Sequence, residues 1–223
     1  MILHFFPSKR IHAIQCSKQQ IMIPTIGLVS QRVLVSLTKV PVGGQEWAPV
    51  LGITVATTLV GGLGAVATGF IRPVDDFDPP TASTIWRPLS AFLFPGLFEE
   101  LIWRAALLPT PATSASLSTI FYHATGSLAA SPTTLGLYKT SLTVLAIHVV
   151  SHPIFSATIY PRGKQVFGDP RFLFLATIVL GGTTLSYIVS GGSVWAAVFT
   201  HAVPVALWRD FFGGEKALQK GRD

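Results

Sequence analysis

Glu99 and Glu100 are adjacent carboxylates, Arg104 follows four residues after Glu100, and His148, His152 and His201 come later in the chain. Each lies inside a stretch that is otherwise apolar. An ionised side chain at the centre of a bilayer costs at least ~2.5–3.5 kcal/mol on insertion scales, so such groups face a protein interior or a wet cavity. Scattered over several helices and facing lipid, they would each be costly. Converging on one cavity, they satisfy one another. At 3.6 residues per turn Arg104 shares a face with Glu100, whereas Glu99 is rotated from Glu100 by about 100°. Arg104 is therefore expected to hold Glu100 as a fixed ion pair, which leaves Glu99 free to act as a general base. A carboxylate beside a histidine can activate water, and a histidine from another helix can donate to the oxyanion formed when water adds to a carbonyl. That chemistry is hydrolysis of a peptide within the membrane.

Each of these residues also has a plainer reading. Glu100 and Arg104 would be an ordinary structural pair in a soluble helix. His148 and His152, at i,i+4, could be core histidines or two ligands of a metal. His201 alone would be structural or interfacial, and Phe98 and Trp103 read as packing residues. His4, His12 and His123 lie outside the apolar spans and receive no role.

The composition supports a membrane setting. Of 223 residues 49% are hydrophobic and only 12% are charged, about half the charged share of an average soluble domain. The net charge of +6 is dispersed, which fits anionic lipid or an orientation signal and not a nucleic-acid partner. The single cysteine, Cys16, rules out an intramolecular disulfide and a cysteine-based zinc cluster. Residues 1–45 carry Lys9, Arg10, Lys18, Arg32 and Lys39 and no acid before Glu46. That is the composition of an organellar transit peptide, or equally of a basic cytoplasmic tail.

Apolar spans are expected at about 47–71, 87–108, 140–160, 172–190 and 193–212. Residues 109–139 are expected to form a loop with a short surface helix, and 214–223 a polar tail. Gly61, Gly62 and Gly64 would let helices approach closely. Pro95, four residues before Glu99, should kink its helix. Trp195 and Trp208 are placed as interfacial anchors. The fold class is an all-α integral membrane protein with about five transmembrane helices, six if 20–38 adds one, around a polar cavity. The domains are 1–45, 46–213 and 214–223. Orientation is left open by the charges.

These residues resemble the CAAX-protease and bacteriocin-processing (Abi) family of intramembrane proteases, in the version common in cyanobacteria and plastids. Glu99-Glu100-x-x-x-Arg104 is similar to its EExxxR signature. His148-Val-Val-Ser-His152 occupies the place of its FxxxH motif and His201-Ala-Val-Pro-Val205 that of HxxxN. Ser190-Gly191-Gly192-Ser193-Val194-Trp195 resembles the lead-in to the third motif. The resemblance spans about Trp86 to Trp208. It implies a helical fold around a conical, water-accessible cavity. It implies Glu99 as the base, assisted by His152, with Glu100 and Arg104 in support and His201 on the oxyanion side. It implies a metal-free reaction on a membrane-associated peptide or prenylated protein, in contact with membrane lipid. Two departures stand out: His148 replaces the phenylalanine and Val205 the asparagine, which removes a hydrogen-bond donor.

Three readings follow. The first is an intramembrane endopeptidase without a cofactor. The second is a lapsed relative acting as a scaffold or binding a partner. The third is an intramembrane metal carrier using Glu99, Glu100, His148, His152 and His201; a metal-dependent protease would instead hold a divalent metal such as zinc on Glu99, His148, His152 and His201. The location is an integral, multi-pass membrane protein, in a plastid or other organelle if 1–45 is a transit peptide.

Overall fold

The computed structural model describes residues 26–73, 77, 86–111 and 132–219. Residues 1–25 of the basic extension, most of the expected 109–139 loop, and His4, His12, Cys16 and His123 lie outside the described residues. Among the described residues the structure is helical, apart from one isolated bridge between Phe77 and Phe212. Helix α1 is Ile26–Thr38 and α2 is Gly43–Ala67. α3 covers 87–106 in four consecutive pieces, Arg87–Ala91, Phe92–Leu97, Phe98–Glu100 and Leu101–Ala106. α4 is Pro132–Thr158, α5 is Pro170–Val189 and α6 is Val194–Phe211. A short helix, Gly214–Gln219, follows within the expected polar tail.

α2, α5 and α6 pack against one another. Small residues bring α2 and α5 together, and the tightest is Gly182: a Cβ there would collide with the Thr57 side chain. Gly64 also faces α5, where a Cβ would lie 3.3 Å from Phe174, while Gly62 faces open space. Buried hydroxyls tie all three helices. Thr200 Oγ1 lies 2.8 Å from Thr54 Oγ1 and 2.7 Å from Ser186 Oγ. In an apolar surround such pairs satisfy polar groups that lipid cannot.

The distribution of side chains is the inverse of a water-soluble protein's. Arg104, Glu100 and His148 are buried, while Val55, Leu59, Leu63, Leu142, Ile147 and Ile154 face outward. Large exposed apolar faces around a buried charged cluster fit a bilayer. Gly43–Ala67, Leu135–Thr158 and Pro170–Val189 are long and apolar enough to cross one, by length and composition. The other two expected spans are also helical, and the first of them is not continuous. α6 has 18 residues and carries Arg209 and Asp210 in its last turn. α3 is broken at Phe94, which is extended (φ −146°, ψ 118°) just before Pro95. Proline removes a backbone donor and pushes the residue before it out of the α region. The break was expected from Pro95.

The ends of the bundle are pinned by local chemistry. Asp169 caps α5 by accepting from the Arg171 backbone N–H at 2.8 Å, with Pro170 in the first turn. The Arg171 side chain bonded to it holds the Asp169 carboxyl below the usual carboxylate range. At the other end, Gly191 (φ 67°) and Gly192 (φ 98°) turn the chain into α6. α1, which falls inside the basic extension, is fastened to this turn. Ser36 Oγ donates to Gly192 O at 2.8 Å, Lys39 Nζ to Gly191 O at 2.8 Å, and Trp195 Nε1 to Leu37 O at 2.8 Å. Trp195 and Trp208 are half-buried. Trp195 stacks near Phe92, and Trp208 packs on Phe70 and Phe172.

Candidate active site

The Glu-Glu pair sits on the short piece Phe98–Glu100, between the Pro95 break and the wide turn Leu101–Ala106. Glu100 points inward and is fully buried, as is Arg104. Arg104 Nε lies 3.2 Å from Glu100 Oε2 and Nη1 3.3 Å from Oε1. The pairing is Coulombic more than directional, since neither Arg104 Nε nor Glu100 Oε2 has a well-aligned hydrogen bond. His201 on α6 completes the carboxylate's surroundings: its Nδ1 lies 2.7 Å from Glu100 Oε1. Against a carboxylate oxygen, Nδ1 donates.

Arg104 does more than pair. Its Nη2 donates to Leu180 O at 2.7 Å and to Thr184 Oγ1 at 3.3 Å, which anchors it to α5. Its Nη1 reaches His148 Nδ1 on α4 at 2.7 Å. A guanidinium can only donate, so His148 Nδ1 is the acceptor and the ring proton is assigned to Nε2. That Nε2–H points at Glu99 Oε2, 3.1 Å away. Arg104 therefore orients His148 and selects its tautomer, as a carboxylate or carbonyl does for histidines elsewhere. Trp103 stacks on the ring with centroids 4.5 Å apart.

Glu99 is the one member of the acidic pair that is open: its side chain is 26% exposed. His201 Nε2 lies 4.0 Å from Glu99 Oε2, so two imidazoles from different helices flank the same carboxylate. All six expected residues come together here. The histidine expected to assist Glu99 was His152, but the side chain that bonds Glu99 is His148. His152 lies one turn further along α4. Its ring stacks on His148 at 5.3 Å, its Nδ1 donates to His148 O at 3.0 Å, and its edge meets Phe167 and Phe172. Sequence reasoning also missed Thr184 and the Leu180 carbonyl as the anchor of Arg104. A Gly-Gly-Thr-Thr run in an otherwise apolar helix, at 181–184, is the signal that was there to be read.

One ligand atom each from Glu99, His148 and His152 lie within 4.8 Å of one another. Within this group His148 is poorly suited to be a ligand. His148 Nδ1 is taken by Arg104 and Nε2 carries the proton, so the ring has no lone pair left to give.

A protein-family profile, the Rce1-like type II CAAX prenyl endopeptidases, matches residues 81–206. This chain belongs to that family. The match takes in every residue of the cluster, from Glu99 to His201, and leaves α1 and α2 outside. No curated protein and no solved structure matches the chain. The family is one of membrane proteases of the CAAX-endopeptidase type, and the chain is accordingly a helical membrane protein of that kind.

Proposed function

We propose that the protein is an active intramembrane endopeptidase in which Glu99 activates water without a metal. The observation that carries this is the setting of Glu99. It is a part-exposed carboxylate held between His148 Nε2–H and His201 Nε2, in front of a fully buried Glu100–Arg104 pair. One Glu99 oxygen accepts from His148, and the other is free to take a proton from water. The resulting hydroxide adds to the scissile carbonyl carbon. The C–N bond then breaks, Glu99 passes its proton to the leaving amine, and a carboxylic acid is left on the other product.

The oxyanion needs donors. His201 supplies one when its Nε2 is protonated, a proton that also offsets the charge of two carboxylates facing one guanidinium. Val205, one turn after His201, supplies none. His148 Nε2–H, bonded to Glu99 Oε2 at rest, stands in for the missing asparagine only by turning from Glu99 to the oxyanion once Glu99 has taken its proton. Losing one such donor outright costs ~2.7–4 kcal/mol of transition-state stabilisation, so the substitution matters to the rate. The substrate is a membrane-associated or lipidated peptide that reaches Glu99 from its exposed side.

The test is cleavage of a fluorogenic membrane-associated peptide by the purified protein. Glu99→Gln keeps the size and hydrogen-bonding of the side chain but not its basicity. It is expected to lower kcat/KM by roughly 10²–10⁴-fold, the usual worth of a general base, with the unfolding temperature unchanged. Unchanged cleavage in Glu99→Gln, or none in the parent protein, would favour the scaffold reading. Treatment with a strong chelator is expected to leave the rate unaltered; a loss restored by zinc would overturn the metal-free step.

A further inference from the structure

A groove of about 350 Å³ opens between α1 and the turn that follows α3. Leu28, Gln31, Arg32 and Val35 line one side, and Pro109 and Thr110 the other. The first four recur at i, i+3, i+4 and i+7 and so form one face of α1. The opposite face, Val33, Ser36 and Leu37, is spent on the protein core. Arg32 has no ion-pair partner among the described residues, and no acidic side chain lines the groove. Its depth is fixed by its neighbours. Thr110 and Pro111 press against Gly192, where a Cβ would meet Thr110 at 2.9 Å, and this is the turn at which α5 ends. The end of a membrane-crossing helix lies at the headgroup level. Beside Thr110 at this turn the Tyr187 hydroxyl is buried against the Thr110 and Ser36 side chains.

We infer that this groove binds the phosphate headgroup of an anionic membrane phospholipid. Arg32 takes the phosphate, Gln31 and Thr110 add neutral hydrogen bonds, and the acyl chain runs along Leu28, Val35 and Pro109. A guanidinium matches a phosphate in charge and in its forked donor geometry. The basic, acid-free chain before Glu46 adds long-range attraction to an anionic leaflet. The site has a consequence for catalysis, because α1 packs directly on Leu101–Ala106, the piece that carries Arg104. A lipid bridging α1 and Thr110 would tighten that contact.

The experiment is native mass spectrometry of the full chain in detergent, titrated with phosphatidylglycerol, phosphatidylcholine or glycerol phosphate. Phosphatidylglycerol is expected to be retained best. Arg32→Gln is expected to weaken its retention roughly fivefold, the worth of one basic group at a membrane surface, and Arg32→Lys to restore most of it. Equal retention in Arg32→Gln, or of phosphatidylcholine, would make the groove a plain apolar surface and overturn the inference. Binding of glycerol phosphate as tight as that of the lipid would show a soluble phosphate ester to be the ligand instead.

Discussion

The division of roles between two neighbouring glutamates rests on a single turn of helix. Glu100 is spent on Arg104 and His201, and Glu99 stays part-exposed beside His148. That division was legible, because a 100° rotation between adjacent residues follows from helix geometry alone. The identity of the assisting histidine was not. His148 and His152 share a face of α4, and which one meets Glu99 depends on how far α4 is shifted along α3. The arrangement gives a direct expectation. His148→Gln should lower kcat/KM roughly 10²–10³-fold, as expected for a lost hydrogen-bond donor at the reacting centre. His152→Gln should lower it less than about tenfold, since that ring lies within 4.8 Å of Glu99 but makes no direct hydrogen bond to it. Steady-state cleavage by the two variants decides the matter. A larger loss in His152→Gln would return the assisting role to that residue.

At the scale of elements, α3 places its charges by being irregular. Pro95 interrupts the helix four residues before Glu99, and a wide turn follows Glu100. Irregular backbone at membrane depth is tolerated where protein or a wet cavity covers it, and the chemistry is gathered at that place. The kink could be read from the sequence because proline acts on its own backbone. Helix contacts were harder to read. The glycines of α2 drew attention as a cluster, yet the tightest approach in the bundle is made by Gly182 of α5 against Thr57. Gly182→Ala is expected to destabilise by about 1–3 kcal/mol, the range for overpacking a filled interior. Thr57→Ala in the same chain should recover part of that loss. Thermal unfolding of the two single variants and the double variant measures the coupling; additive losses would mean that the two side chains do not meet.

Taken whole, the molecule is a bundle of α2, α5 and α6, with α3 and α4 closing the site and α1 strapped across one end. The strap secures a cluster of Ala105, Val194 and Val198, against which Val33 and Leu37 pack. It lies outside the residues matched by the family profile, yet it holds the piece of α3 that bears Arg104. Deleting residues 1–38 is therefore expected to lower the unfolding temperature in detergent by about 5–10 °C relative to deleting 1–25 alone. A loss of ~2–3 kcal/mol in a chain of this size corresponds to that shift. Equal temperatures for the two deletions would reduce α1 to an appendage.

The sequence by itself determined the membrane setting, the helical class, the family resemblance and the set of acids and histidines that gather at one place. Each follows from composition or local spacing: few charges, long apolar runs, and acids and histidines in an order that water-soluble packing does not require. The tertiary structure decided what depends on register between helices. It gave Glu99 its direct bond to His148, with His152 one turn further along, gave Arg104 an anchor in the Leu180 carbonyl and Thr184, and tied Trp195 to α1. It also showed the helix at 87–106 to be broken into consecutive pieces. The reason is physical. Spacing along one helix fixes which residues share a face, whereas the partner that face meets is set by the relative shift and rotation of two helices, on which local spacing is silent.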